Sequence, residues 1–145
     1  MKIPLVILFL LLLYSKAFAA PTFVDSFSVN SEETRVNGFT FNNDGTKMFV
    51  AGHNGDDINE YTLSTAWDVS TAEFVDSFDT ESEDDDTRDV KFNQNGRKMF
   101  VLGKENDRVC EYKLSTGFDV STATFVDCAS VSEEGSPDEL EFNPD

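Results

Sequence analysis

Short apolar runs alternating with polar positions recur along this chain, separated by stretches rich in turn residues. Val36 to Phe41 places Phe39 and Phe41 in alternation, which predicts a half-buried strand. Asn42-Asn43-Asp44-Gly45 follows as a turn, with Gly free to take positive φ. Thr46 to Ala51, Ile58 to Leu63 and Glu73 to Phe78 predict three further strands joined by short loops. Four such strands in succession make an antiparallel meander, not a βαβ unit. Beyond residue 20 no segment carries a helical period.

The pattern then repeats at an interval of 51 residues. Phe23-Val24-Asp25-Ser26-Phe27 returns as Phe74 to Phe78, and again as Phe125-Val126-Asp127-Cys128. Met48-Phe49-Val50 returns as Met99-Phe100-Val101, and Glu60-Tyr61 as Glu111-Tyr112. Leu63-Ser64-Thr65 and Asp68 to Ala72 return as Leu114-Ser115-Thr116 and Asp119 to Ala123. Phe41-Asn42 matches Phe92-Asn93 and then Phe142-Asn143, the last interval being one residue shorter.

Met48-Phe49-Val50 puts apolar side chains on both faces of its strand, so each sheet must be covered on both sides. Blades of a propeller satisfy this by stacking on copies of themselves. The expected fold is all-β, a β-propeller of four-stranded antiparallel blades. Phe41-Asn42-Asn43-Asp44-Gly45-Thr46-Lys47-Met48-Phe49-Val50 resembles the F-x-P-D-G-x-x-x-Y-V signature of YVTN-type and related lactonase-like propeller repeats. Phe142-Asn143-Pro144-Asp145 looks like the same signature cut short, and Tyr61 to Ala72 is similar to the following segment in secreted members. Phe49 and Phe100 stand where the signature has Tyr, and Asn95 where it has Asp. The resemblance implies a propeller, a fold that hosts binding, scaffolding and hydrolysis alike.

The expected organisation is a leader over 1–20, a closing strand over 23–28, blade one over 36–79, blade two over 87–129 and the start of blade three over 138–145. Propellers contain about four to eight blades. The expectation is therefore an incomplete N-terminal portion, its remaining blades supplied by a missing C-terminal part or by other subunits.

Charge and composition narrow the partners. Asp and Glu number 28 against 11 Lys and Arg, for a formal net charge of -17, which repels phosphate and excludes a sequence-independent nucleic-acid binder. Lys2, the apolar run Ile3 to Leu13 and Ala17-Phe18-Ala19 read as a cleaved secretory leader, placing the chain in a periplasmic or extracellular space. The run is too short to span a bilayer, which takes about 20 residues, so no membrane span is expected after cleavage.

Candidate chemistry lies in the loops. Asp56, Asp57, Asp84, Asp85 and Asp86 fall in two connections that a propeller gathers on one face, a concentration of oxygen ligands suited to calcium. The same residues also read as solvated charge that keeps a secreted protein soluble and its sheet edges unpaired. No EF-hand spacing occurs, and no cofactor is required. Pairing Leu114 with Thr124 places Cys110 opposite Cys128, so the two either form a cross-strand disulfide or remain thiols. His53, beside Asn54, Gly55, Asp56 and Asp57, reads as a surface loop residue. Trp67 aligns with Phe118 and reads as a packing anchor rather than a sugar platform. Asp68 with Ser70, and Asp119 with Ser121, read as turn formers. No P-loop, GxSxG or HExxH motif is present, and no catalytic residue is assigned.

These features point to a secreted repeat module that binds an unidentified protein or carbohydrate through its loop face. The sequence is also compatible with two other readings. One is a lactone- or ester-hydrolysing propeller with a channel-bound divalent cation. The other is a carbohydrate-binding ring assembled from short subunits.

Overall fold

A computed structural model describes residues 20–142. It is all-β, with eight strands in two sheets. The first sheet contains β1 (Val36–Phe41), β2 (Lys47–Gly52), β3 (Asp57–Leu63) and β4 (Ala72–Asp79). The second contains β5 (Thr87–Phe92), β6 (Lys98–Gly103), β7 (Arg108–Leu114) and β8 (Ala123–Ser130). Each sheet is an antiparallel meander with its strands in chain order. Strand positions agree with the sequence reading to within a residue or two. A single turn of 3₁₀ helix, Val69–Thr71 or Val120–Thr122, precedes the fourth strand of each.

Register follows the repeat. Phe49 pairs with Glu60 in the first sheet and Phe100 with Glu111 in the second. Both sheets slip by one residue between the third and fourth strands, after Glu60 and after Glu111, because the fourth strand carries one extra residue, Val75 or Val126. The slip corrects the assumed pairing: Leu114 faces Ala123, not Thr124. Cys110 still faces Cys128, because the bulge restores the offset within the same ladder.

The expected β-propeller is overturned. The two sheets are separate and open, and neither closes on itself or with the other into a ring. The apolar pattern of β2 had argued for blades because it demands cover on both faces. A single neighbouring sheet and one irregular segment satisfy that demand. Phe49, Ala51 and Ile58 pack against Val90, Met99, Val101, Tyr112, Leu114 and Val120 in one buried core. On the opposite face, Met48, Val50, Tyr61, Leu63 and Ala72 form a second cluster that Val29, Phe41 and Val69 cover. Burying each large side chain stabilises the fold by about 1.5–3 kcal/mol, so the shared core dominates cohesion between the sheets.

Two other boundaries change. Residues 23–28, expected as a closing strand, form no strand and lie irregularly, with Phe27 edge-on to Tyr61 at 5.7 Å. The expected third unit over 138–145 forms no strand among its described residues, though Phe142 sits 5.0 Å from Phe100. The leader expected over 1–20 lies outside the described residues except for Ala20, and Asn143 to Asp145 also lie outside them.

The connections explain the turn chemistry. Gly45 and Gly96 adopt positive φ, as the Asn-Asn-Asp-Gly and Asn-Gln-Asn-Gly turns require. Trp67 and Phe118 also lie in the left-handed region, at φ 65 and 58, a conformation costing bulky residues about 1–3 kcal/mol. Each is tied down by its amide, Trp67 N–H to Gly45 O at 2.9 Å and Phe118 N–H to Gly96 O at 3.0 Å. A Cβ on either glycine would lie 2.3 Å from the aromatic ring above it, so both glycines are also required by close approach. Trp67 closes over Gly45 and lies 5.3 Å from Phe41, but unlike Phe118, which packs on the core between the sheets, it is 58% exposed. Asp68 accepts from the Ser70 amide and hydroxyl, and Asp119 from the Ser121 hydroxyl, as turn formers do.

Candidate functional site

The β2–β3 and β6–β7 hairpin tips and the segments entering β1 and β5 converge at one end of the molecule. Each tip is held by a carboxylate from the segment that precedes its own sheet. Glu33, buried, accepts from the amides of Arg35 and Gly55. Asp84, also buried, accepts from the amides of Asp86, Glu105 and Asn106 at 3.0–3.1 Å. Both carboxylates cross a glycine, Gly52 or Gly103, where a Cβ would lie 1.9 or 2.1 Å from the acid. Below them, Tyr61 donates to Glu32 and Tyr112 to Glu83. Burial first, and then the neighbouring carboxylate, pushes both phenols above their usual range.

The two sheets are stitched at this end by polar groups. His53 Nδ1 lies 3.0 Å from Asp86, whose other oxygen accepts from Arg88 at 2.6 Å. Thr80 donates both its amide and its hydroxyl to the Asp56 carbonyl, and its hydroxyl meets that of Thr87 at 2.8 Å. Lys104 and Arg88 both approach Asp138. His53, which reads from sequence as a surface loop residue, is part of the bridge between the sheets.

The five aspartates proposed as calcium ligands are brought to this end but not to one point. Asp84 is occupied by backbone amides and Asp86 by Arg88 and His53, while Asp85 is exposed. Asp57 accepts from Asn59 at 2.6 Å, and burial raises its pKa to about 6. Burial also raises that of Asp56. Among the described residues, no three His, Cys, Asp or Glu side chains are placed to hold a metal ion. The acidic run was legible from sequence, but its internal use was not. The signal that could have exposed it is positional: Glu33 and Asp84 differ by the repeat interval, and Gly52 and Gly103 do too.

Between β1 and β5 opens a cleft of about 310 Å³ lined by Asn37, Gly38, Phe39, Asp89, Lys91, Asp138 and Glu139. Asp89 is buried at its base and accepts from the amides of Val90 and Leu140 and from Lys91 Nζ. Sequence reasoning singled out neither Asp89 nor Lys91. Away from this end, Cys110 and Cys128 form a disulfide across β7 and β8. Among the described residues no helix is long and apolar enough to cross a membrane.

No protein-family model matches the chain, and neither does any curated protein. Among solved structures it is similar to a functionally unknown protein from Desulfotomaculum acetoxidans DSM 771. The TM-score is 0.52 and the identity 20%, over 68% of this chain and 28% of that one. This chain thus spans little more than a quarter of that protein's length. The likeness is one of fold alone.

Proposed function

We propose that the chain is a non-catalytic binding module that engages a protein or carbohydrate partner through the loop end of its two sheets. The observation that carries this reading is the pinning of both hairpin tips by Glu33 and Asp84. Loops anchored to a rigid scaffold while their outer side chains differ are suited to recognition. Strand residues repeat closely between the units. The tips do not: His53-Asn54-Gly55 corresponds to Lys104-Glu105-Asn106. The adjoining cleft has the size of a small ligand site and presents charges of both signs with an exposed ring, Phe39. Action in a secreted or periplasmic compartment is supported by the leader-like first 20 residues and by the Cys110–Cys128 pairing, since disulfides persist where the surroundings oxidise.

The test is to screen immobilised glycans and a peptide panel for binding, then repeat with Asn54→Ala and Glu105→Ala at the tips. Saturable binding that weakens at least tenfold in the tip variants, with unchanged melting temperature, is the expected result. Turnover of lactone or aryl-ester substrates that those variants abolish would replace this reading with an enzyme.

A further inference from the structure

The internal interface joins unlike faces. Phe49 and Ile58 of the first sheet meet Met99, Val101 and Val120 of the second, and the repeat counterparts of these last three, Met48, Val50 and Val69, lie on the opposite face of the first sheet. The joint is keyed by two polar contacts. Lys47 donates to the Phe118 carbonyl at 2.6 Å, and Glu60, paired with Lys47, accepts from the Val120 amide at 2.9 Å. The same key stands on the outer face of the second sheet. Lys98 pairs with Glu111 at 2.7 Å beside Phe100, and both side chains remain accessible. A hollow of about 220 Å³ opens there between Phe100, Val109, Glu111 and Ala129. The matching lock stands on the outer face of the first sheet. There Trp67 repeats the left-handed turn of Phe118 and is 58% exposed.

We propose that the outer face of the β5–β8 sheet docks a second copy of this chain, which presents the outer face of its β1–β4 sheet. The contact reproduces the joint already present inside one chain, with Lys98 and Glu111 taking the backbone of the partner's Trp67–Val69 connection. The contact is heterologous, so an open row of copies keeps one face of each kind free at its two ends.

The chain also carries stand-ins for this partner. Phe27 lies edge-on to Tyr61 at 5.7 Å and 76°, as Phe78 lies on Tyr112 at 5.1 Å and 75°. Phe142 lies 5.0 Å from Phe100, as Phe92 lies 4.4 Å from Phe49. A docking copy must displace both rings. They are lightly held: Phe27 is 36% exposed and Phe142 43%. Self-association is therefore weak in the intact chain and is strengthened by removing the stand-ins.

Sedimentation velocity over a concentration series tests this on the full chain, on Phe27→Ser with Phe142→Ser, and on the latter carrying Glu111→Ala or Glu111→Gln. The expected result is concentration-dependent association, at least tenfold tighter in the double variant and lost with Glu111→Ala. Glu111→Gln keeps a hydrogen-bond acceptor and retains part of the association. Circular dichroism confirms that each variant is folded. A double variant that stays monomeric at millimolar concentration overturns the proposal, and so does association that Glu111→Ala leaves unchanged. The outcome is independent of the binding reading above, because neither ring nor Glu111 belongs to the tips or the cleft.

Discussion

The two sheets share a sequence pattern, a strand order and even a bulge, yet use equivalent side chains differently. Glu60 is sealed between the sheets at 2% exposure and holds a partly buried Lys47, while Lys98 and Glu111 make the same pairing on a more open face. Asn59 and Ser77 face each other where Cys110 and Cys128 are bonded. Asp57 becomes Arg108, which donates to the Glu83 carbonyl and approaches Asp84 at 3.7 Å. Position in the stack, more than position in the strand, decides what each residue contributes. A carboxylate facing a neighbour's backbone is a joint; one facing water is decoration until something docks there.

Breaking the joint is expected to have the largest effect. Glu60→Ala leaves the partly buried Lys47 with the Phe118 carbonyl but no counter-charge, and the Val120 amide unsatisfied, so it should cost about 3 kcal/mol, the low end of the range for removing one member of a buried pair. Glu111→Ala, its equivalent, should cost about 0–1 kcal/mol, as for exposed pairs. Urea denaturation of the two variants side by side measures the difference. Equal losses would mean that the buried location does not matter.

The disulfide gives the next contrast. Replacing Cys110 and Cys128 together by Ala should cost about 3 kcal/mol, the chain-entropy value for a loop of this size. The reciprocal change, Asn59→Cys with Ser77→Cys, should form a bond in the first sheet, because those residues face each other in the same register. Thiol titration and melting with and without reductant follow both. Free thiols in the first-sheet variant would show that the registers differ in solution.

A smaller effect concerns Asp57. Its folded pKa of about 6 stands above the ordinary 3.8, chiefly through burial, so the folded state holds the proton more tightly than the unfolded chain. The penalty for its charge is full above about pH 6 and disappears as pH falls below about 4. Asp57→Asn should therefore raise the melting temperature by about 2–4 °C at pH 7, a figure reduced for its partial exposure, and by almost nothing at pH 4. A gain of the same size at both pH values would assign the effect to something other than charge burial.

Much of the local structure was legible in the sequence because it rests on local rules. Alternation located the strands, the Asn-Gly and Asp-Gly turns located the hairpins, and the 51-residue interval made the second sheet a copy of the first. Long-range arrangement was less legible. Apolar residues on both faces of β2 require cover but do not specify its source, and a ring was inferred where one sheet and the segment around Phe27 and Val29 suffice. The extra residue at Val75 and Val126 left no mark in the apolar pattern, so Leu114 was given the wrong partner. Asp84 read as solvated loop charge and Glu33 carried no mark of its own, because nothing in composition reveals that a carboxylate is buried under backbone amides.

Those two carboxylates act like tethers thrown backward across each sheet. The height of a hairpin tip is set some twenty residues earlier, by an acid one methylene longer in the first unit than in the second. A lineage can thus reshape what the tips offer by editing the approach to a sheet, leaving the strands untouched, and can do so for one sheet without disturbing its neighbour.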